Sequence, residues 1–239
     1  MLEFFHTILV VPLYNLLIAL VDVVPGGDLG LSVVIATIIV KIAILPLTLA
    51  AVKTQRAMKL IEPKLKELQA KHKDNKELLA KEMFALYREY KVRPLASIGA
   101  VLIQIPILIC LYVVFQMKSL STVDTSLLYS FVPVPTSIST EFLGLLTIAG
   151  TSIILAALAA ITQAGQAFYA IPVPEKKEGS TAQEDFARAM SLQMRFVLPL
   201  VIGFAALTSG AIALYFITSN LFGIAQEFFV RRFMPQVKV

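Results

Sequence analysis

The sequence predicts an all-α, polytopic membrane protein, with five transmembrane helices, a cytoplasmic helical hairpin and an N-terminal interfacial helix. Three observations predict it. Hydrophobic residues make up 57% of the 239-residue chain and charged residues 15%, well under the usual quarter. Apolar runs long enough to cross a bilayer recur along the chain. Lys and Arg concentrate in the segments that alternate topology places on one side of those runs.

The elements follow in order. Residues 1–28 form an outer-face amphipathic segment, because the apolar stretch 4–24 is interrupted by Pro12, Asn15 and Asp22 and ends in Pro25-Gly26-Gly27-Asp28. An uninterrupted run of about 15 residues rises only about 22 Å as a helix. An interfacial helix is therefore the preferred reading over a short span. Asp28 is placed to cap the helix that follows. The five spans run at about 29–52, 97–117, 142–168, 193–208 and 211–230, against a requirement of about 20 apolar residues each. Between them lie the cytoplasmic hairpin 53–96, an outer loop 118–141 and a cytoplasmic loop 169–192, and the tail is 231–239. Thr208-Ser209-Gly210 joins the last two spans as a tight hairpin.

Topology follows from the cations. The stretch 53–96 carries twelve Lys and Arg against six Asp and Glu, and Lys176, Lys177, Arg188, Arg195, Arg231, Arg232 and Lys238 fall on the same predicted side. The opposite side holds only Lys118, with Asp22, Asp28, Asp124 and Glu141. The positive-inside rule puts the C-terminus in the cytoplasm and, with five spans, the N-terminus outside; with residues 4–24 also crossing, the N-terminus moves inside. The net charge of +5 is thereby assigned to topology, and a direct nucleic-acid partner is not expected.

The hairpin is patterned. Met58, Ile61, Leu65 and Leu68 form one apolar stripe and Leu79, Met83, Leu86 and Tyr90 another, each at helical spacing. The polar segment from His72 to Lys76 separates them. The two stripes should face each other. The remaining charges form a solvated face or a docking surface for an anionic partner or lipid headgroups, with Arg56, Lys59, Lys64, Lys66, Lys71 and Lys73 as candidate contacts.

Lys41 is the residue that most calls for a function. It falls near the middle of the first span, where a cation costs about 2.5–3.5 kcal/mol. No other span has an Asp or Glu near its centre. Either end of the span is about 18 Å away by helical rise, which is beyond comfortable reach for a snorkelling Lys. Thr37 and Thr48 share roughly its helix face. Gln104, Gln116, Thr162, Gln163, Gln166, Tyr215, Thr218 and Asn220 add polar groups in other spans. Singly these are interhelical glue; together with Lys41 they suggest a hydrated cavity. Pro46, Pro106 and Pro199 sit in or at the start of spans and tend to kink helices.

Several expectations are negative. Met1 to Thr7 lack the positive start of a signal peptide. The single Cys110 lies in an apolar run and reads as a buried, inert thiol. His6 and His72 are far apart, so no metal site is expected, and no cofactor. No GxxxxGK[ST] loop is present, so nucleotide hydrolysis is not expected. No Ser/His, paired Asp or HExxH arrangement sits in the spans, so the chain does not read as an enzyme.

The chain resembles the YidC-type membrane protein insertases and their mitochondrial and chloroplast relatives. The resemblance rests on TIIVKIAILPLT from Thr37 to Thr48, MKLIEPKLKELQ from Met58 and KEMFALYREYKVRPL from Lys81. IQIPILICLYVVFQ from Ile103 to Gln116 and YFITSNLFGIAQ from Tyr215 complete it. It implies five spans around a hydrophilic groove open to the cytoplasm and to lipid and closed toward the outside, in a bacterial plasma membrane. Lys41, Thr37, Thr48, Gln104, Gln163, Gln166, Tyr215 and Asn220 would line that groove. It implies nascent membrane-protein clients as partners, with a translocon channel and the ribosome as further ones. The short tail, Arg231 to Val239, is unlike the long basic tails through which some relatives contact ribosomes. The family is similar in having one basic residue in its first conserved span, usually Arg; here it is Lys41, which keeps the charge and loses the planar fork. The alternative reading is a small transporter or channel using Lys41 as an ion site; no inverted repeat or acidic relay in the spans supports it.

Overall fold

A computed structural model describes residues 6–73, 75–90, 109, 112, 123–171, 173 and 182–233. It is an all-α polytopic membrane protein. Four helices, His6–Val23, Ile153–Ala170, Arg188–Ala206 and Gly210–Phe233, are long and apolar enough to cross a bilayer, and a fifth if the adjoining helices Leu29–Ala43 and Leu45–Met58 form one broken span. Most of the predicted span 97–117 lies outside the described residues, with Gln104, Pro106 and Gln116 in it. The described residues divide into two compact units, one drawn from 1–42 and 106–227, the other from 43–105 and 228–239.

In the first unit, a π-helical turn His6–Val10 leads into α1 (Val11–Val23). Pro12 falls at the junction of the π-helical turn and α1. Asn15, 3% exposed, is tolerated because its amide is fully used. Nδ2 donates to Val11 O and Leu127 O, both at 2.8 Å, and Oδ1 accepts from Tyr129 N at 2.7 Å. Tyr14 Oη accepts from Asp124 N at 2.7 Å. The polar loop 124–129 therefore rests against the middle of α1. Helix α2 (Leu29–Ala43) follows, capped by Asp28.

The segment after residue 140 differs from the expected span 142–168. Two short strands, β1 (Glu141–Phe142) and β2 (Leu146–Thr147), pair antiparallel, and α5 begins only at Ile153 and runs to Ala170. Gly144 and Gly150 hold φ of 66° and 83°, a left-handed conformation no helix continues through. Ser152 then caps the helix, its hydroxyl accepting from Leu155 N at 3.4 Å. Helices α6 (Ala182–Ala206) and α7 (Gly210–Phe233) complete the unit's spans. Helix α6 runs through Pro199 without a break. It starts before residue 193, since the polar stretch Ala182–Gln193 keeps helical spacing.

Packing between α5 and α6 uses small residues. A Cβ built on Gly203 would stand 2.9 Å from Ala160 Cβ and 3.7 Å from Ala156 O. Without apolar solvent exclusion between helices in lipid, such close backbone approach supplies the attraction. At the other end of α5, Arg195 Nε donates to Ile171 O at 2.6 Å and its guanidinium lies 5.2 Å from the Phe168 ring centroid. A cation there satisfies a carbonyl left over at a helix C-terminus. Outward faces of α5 and α6 stay apolar: Ile153, Ile154, Ile161, Leu200 and Phe204 are all exposed, as lipid-facing residues must be.

The second unit holds α3 (Leu45–Lys71) and α4 (Lys76–Glu89). Their core is Ala57, Ile61, Leu65 and Leu86, with Met58, Leu68, Met83, Tyr87 and Tyr90 packed around it. Asn75 caps α4, its side chain accepting from Leu78 N at 3.0 Å. His72 Nε2 and Glu82 Oε2 are 3.0 Å apart beside the turn. Pro63 lies inside α3 on its exposed side.

Candidate functional site

Lys41 lies in the last turn of α2, not in the middle of one continuous helix. Helix α2 ends at Ala43 and α3 begins at Leu45, with Pro46 in its first turn. Pro46 has no N–H to give the Ile42 carbonyl, and its ring crowds that carbonyl, so the helix stops and restarts. Leu47 N and Thr48 N both reach Ile44 O at 3.1 Å, opening the new helix. The cation thus sits where helix carbonyls come free and the helix dipole is negative, a setting that favours positive charge. Thr48 belongs to the second unit and donates to Leu45 O at 3.0 Å.

Thr37 stands one turn before Lys41 on α2. It is 4% exposed and its hydroxyl donates to Val33 O at 2.7 Å. Lys41 itself is half-buried.

A second polar group joins α5 and α7. Asn220, 3% exposed, donates from Nδ2 to Thr162 Oγ1 at 3.2 Å and to Ala159 O at 3.4 Å. The Thr162 hydroxyl in turn donates to Leu158 O at 2.8 Å. Gln166 lies over Gly223, its amide filling the place a Cβ there would take. Gln163 is half-buried on the same helix. Tyr215 is buried on α7, its ring 5.4 Å from that of Phe216. Among the described residues, every buried side-chain nitrogen and oxygen has a hydrogen-bond partner. The interhelical-glue role therefore holds for Asn220 and Thr162, whatever else they do.

The basic face of the second unit is partly engaged. Arg56 Nη1 donates to Val230 O at 3.1 Å, in the last turn of α7. Lys64 Nζ donates to the Tyr90 hydroxyl, which holds the Lys64 ammonium above its ordinary range. Lys66 pairs with Glu62 at 3.1 Å. Lys59 lies on α3, Lys71 is exposed at its end and Lys73 is exposed in the turn beyond. Two anchoring side chains escaped the sequence reading, Asn15 and Arg195. Each reaches a backbone group far away in the chain, and no local spacing signals such a bond.

Apolar helices of spanning length, a basic helical hairpin and a lysine in the last turn of a helix define a class of all-α membrane proteins. The family model described as 60Kd inner membrane protein matches residues 20–237, and the chain belongs to that family. It is 27% identical over 210 residues to the membrane protein insertase YidC of Fusobacterium nucleatum, covering 86% of this chain and 87% of that one. The YidC insertase of Clostridium tetani is 27% identical over 209 residues, 87% of this chain and 84% of its own. That of Chlorobium phaeovibrioides is 32% identical over 203 residues, 84% of this chain but 33% of its longer one.

Proposed function

We propose that this chain is a membrane protein insertase and chaperone. The observation that carries the reading is a cation inside the apolar region, at a helix break, in a chain that matches the insertase family over nearly its whole length. The polar tail of a nascent client meets Lys41, Gln163 and Gln166, the partly exposed members of the group on α2 and α5, while the buried Thr37, Tyr215 and Asn220 hold the helices behind them. Charge attraction to Lys41 and water around these groups lower the cost of carrying polar atoms partway across. The client's apolar segment then moves into lipid along α5 and α7, whose outer faces are already apolar. Burial of that segment at about 25 cal/mol per Å² drives the last step, so no nucleotide is needed.

The same reading places the N-terminus outside and the C-terminus in the cytoplasm of a bacterial plasma membrane, on the strength of the charge asymmetry. The hairpin of α3 and α4 then faces the cytoplasm. Its Arg56, Lys59, Lys64, Lys66, Lys71 and Lys73 form a docking surface for an anionic partner, such as a translocon loop, the ribosome or lipid headgroups.

Purified protein in liposomes, offered a short single-span client, tests the reading. Insertion above the rate of protein-free liposomes is expected without added nucleotide. Equal rates with and without the protein would overturn it, and solute flux abolished by Lys41→Ala would favour a transporter.

A further inference from the structure

The β1–β2 hairpin ends in an apolar tip that nothing described covers. Leu143 and Leu145 flank Gly144 and are 58% and 81% exposed. Leu143 holds a φ of 53°, a left-handed conformation that residues with a Cβ rarely adopt. Its N–H donates to Asp28 Oδ2 at 2.7 Å, so the unusual backbone is held in place. With Ile153 and Ile154 at the start of α5, also exposed, the two leucines make an apolar surface of the kind that marks a contact with lipid or protein.

The base of the hairpin is seated on the ends of spanning helices. The Phe142 ring covers Gly30 at the start of α2, where a built Cβ would stand 2.7 Å from it. Ile148, fully buried, lies against Gly210, the first residue of α7, with a built Cβ 2.7 Å from Ile148 Cα. Ile148 N also donates to Thr140 O at 2.8 Å, and Gly210 N to Gly150 O at 2.8 Å. The chain then enters α5 at Ile153, and Ile153 and Ile154 are themselves exposed at 75% and 60%. The tip is thus continuous in sequence with the lipid-facing side of a span, at the level where that span begins.

From this continuity we infer that Leu143 and Leu145 insert into the lipid leaflet at this end of the protein, as a membrane anchor for the hairpin. Because the same turn bonds Asp28, the anchor fixes the loop that closes over the starts of α2 and α7. The partner is the acyl region just beneath the headgroups, since the tip carries no charge and Glu141 lies at its base.

The test uses full-length protein with Cys110→Ser and a single new cysteine, Leu145→Cys or Leu143→Cys, labelled with an environment-sensitive fluorophore. Glu141→Cys serves as the comparison. In liposomes of phosphatidylcholine brominated on the acyl chain, the Leu145 and Leu143 labels should lose most of their emission and resist iodide. The Glu141 label should be quenched by iodide and little affected by the brominated lipid. Iodide quenching at 145 and 143 with no lipid quenching would overturn the anchor. So would protection from both quenchers, which would mark contact with a second copy of the chain.

Discussion

Asp28→Ala is the substitution whose cost the structure specifies most fully. Asp28 is 7% exposed, and its two carboxylate oxygens accept from two backbone N–H groups. Oδ1 takes Leu31 N at 2.9 Å and Oδ2 takes Leu143 N at 2.7 Å. The first bond is a helix N-cap, worth about 0.5–2 kcal/mol on replacement by Ala. The second leaves a partly buried N–H unsatisfied, at about 1–3 kcal/mol. The expected sum is about 1.5–5 kcal/mol, to be read from reversible unfolding in mixed micelles by titration with SDS. Asp28→Asn should cost less, because its amide oxygen still caps α2 while its NH2 faces the Leu143 N–H. Asp22→Ala, at an exposed position six residues away, should stay within about 0.5 kcal/mol. A cost for Asp28→Ala no larger than that of Asp22→Ala would refute the double-bond account.

Three further outcomes are expected. Gly203→Val drives a side chain into Ala160 and should destabilise α5 against α6 by about 1–3 kcal/mol, measured in the same micelle titration. Ile61→Ala empties a fully buried position of the hairpin core, at about 2–5 kcal/mol; amide exchange should accelerate in α3 and α4 around Leu65 and Leu86 and leave α5 and α6 unchanged. The contact between Lys64 and Tyr90 needs the protonated amine, and it raises the Lys64 pKa above the ordinary 10.5. Its contribution is therefore complete below that value and lost as pH rises through the raised one. NMR titration of isotopically methylated lysines should show Lys64 titrating late, and Tyr90→Phe should bring it back down.

Much of the fold was written in local patterns. The hairpin core contains Met58, Ile61, Leu65 and Leu68 from one stripe and Met83, Leu86 and Tyr90 from the other, because helical spacing alone decides which residues can meet. The apolar runs that became α5, α6 and α7 were equally plain. The start of α5 was not, since Phe142, Leu143, Leu145, Leu146 and Ile148 carry as much hydrophobicity as a helix would. Leu143 and Gly144, by taking positive φ, turn that stretch into a hairpin, and Gly150 ends it before the helix. Pro46 signalled a kink, but composition could not tell a bend from the complete restart at Leu45. That difference moves Lys41 from the middle of a helix to its C-terminal turn. Within the candidate site, the bonds of Asn220 to Thr162 and Ala159 pair residues about sixty positions apart, beyond any periodicity argument.

The central claim is that the Lys41 charge handles the client's polar tail. A charge-swap experiment tests it most directly: wild type, Lys41→Arg and Lys41→Glu in liposomes, each offered the same single-span client with an acidic or a basic tail. Lys41→Arg should insert the acidic-tailed client as wild type does. Lys41→Glu should slow that client and relieve the basic-tailed one, reversing the preference. Equal insertion of both clients by all three proteins would contradict the account.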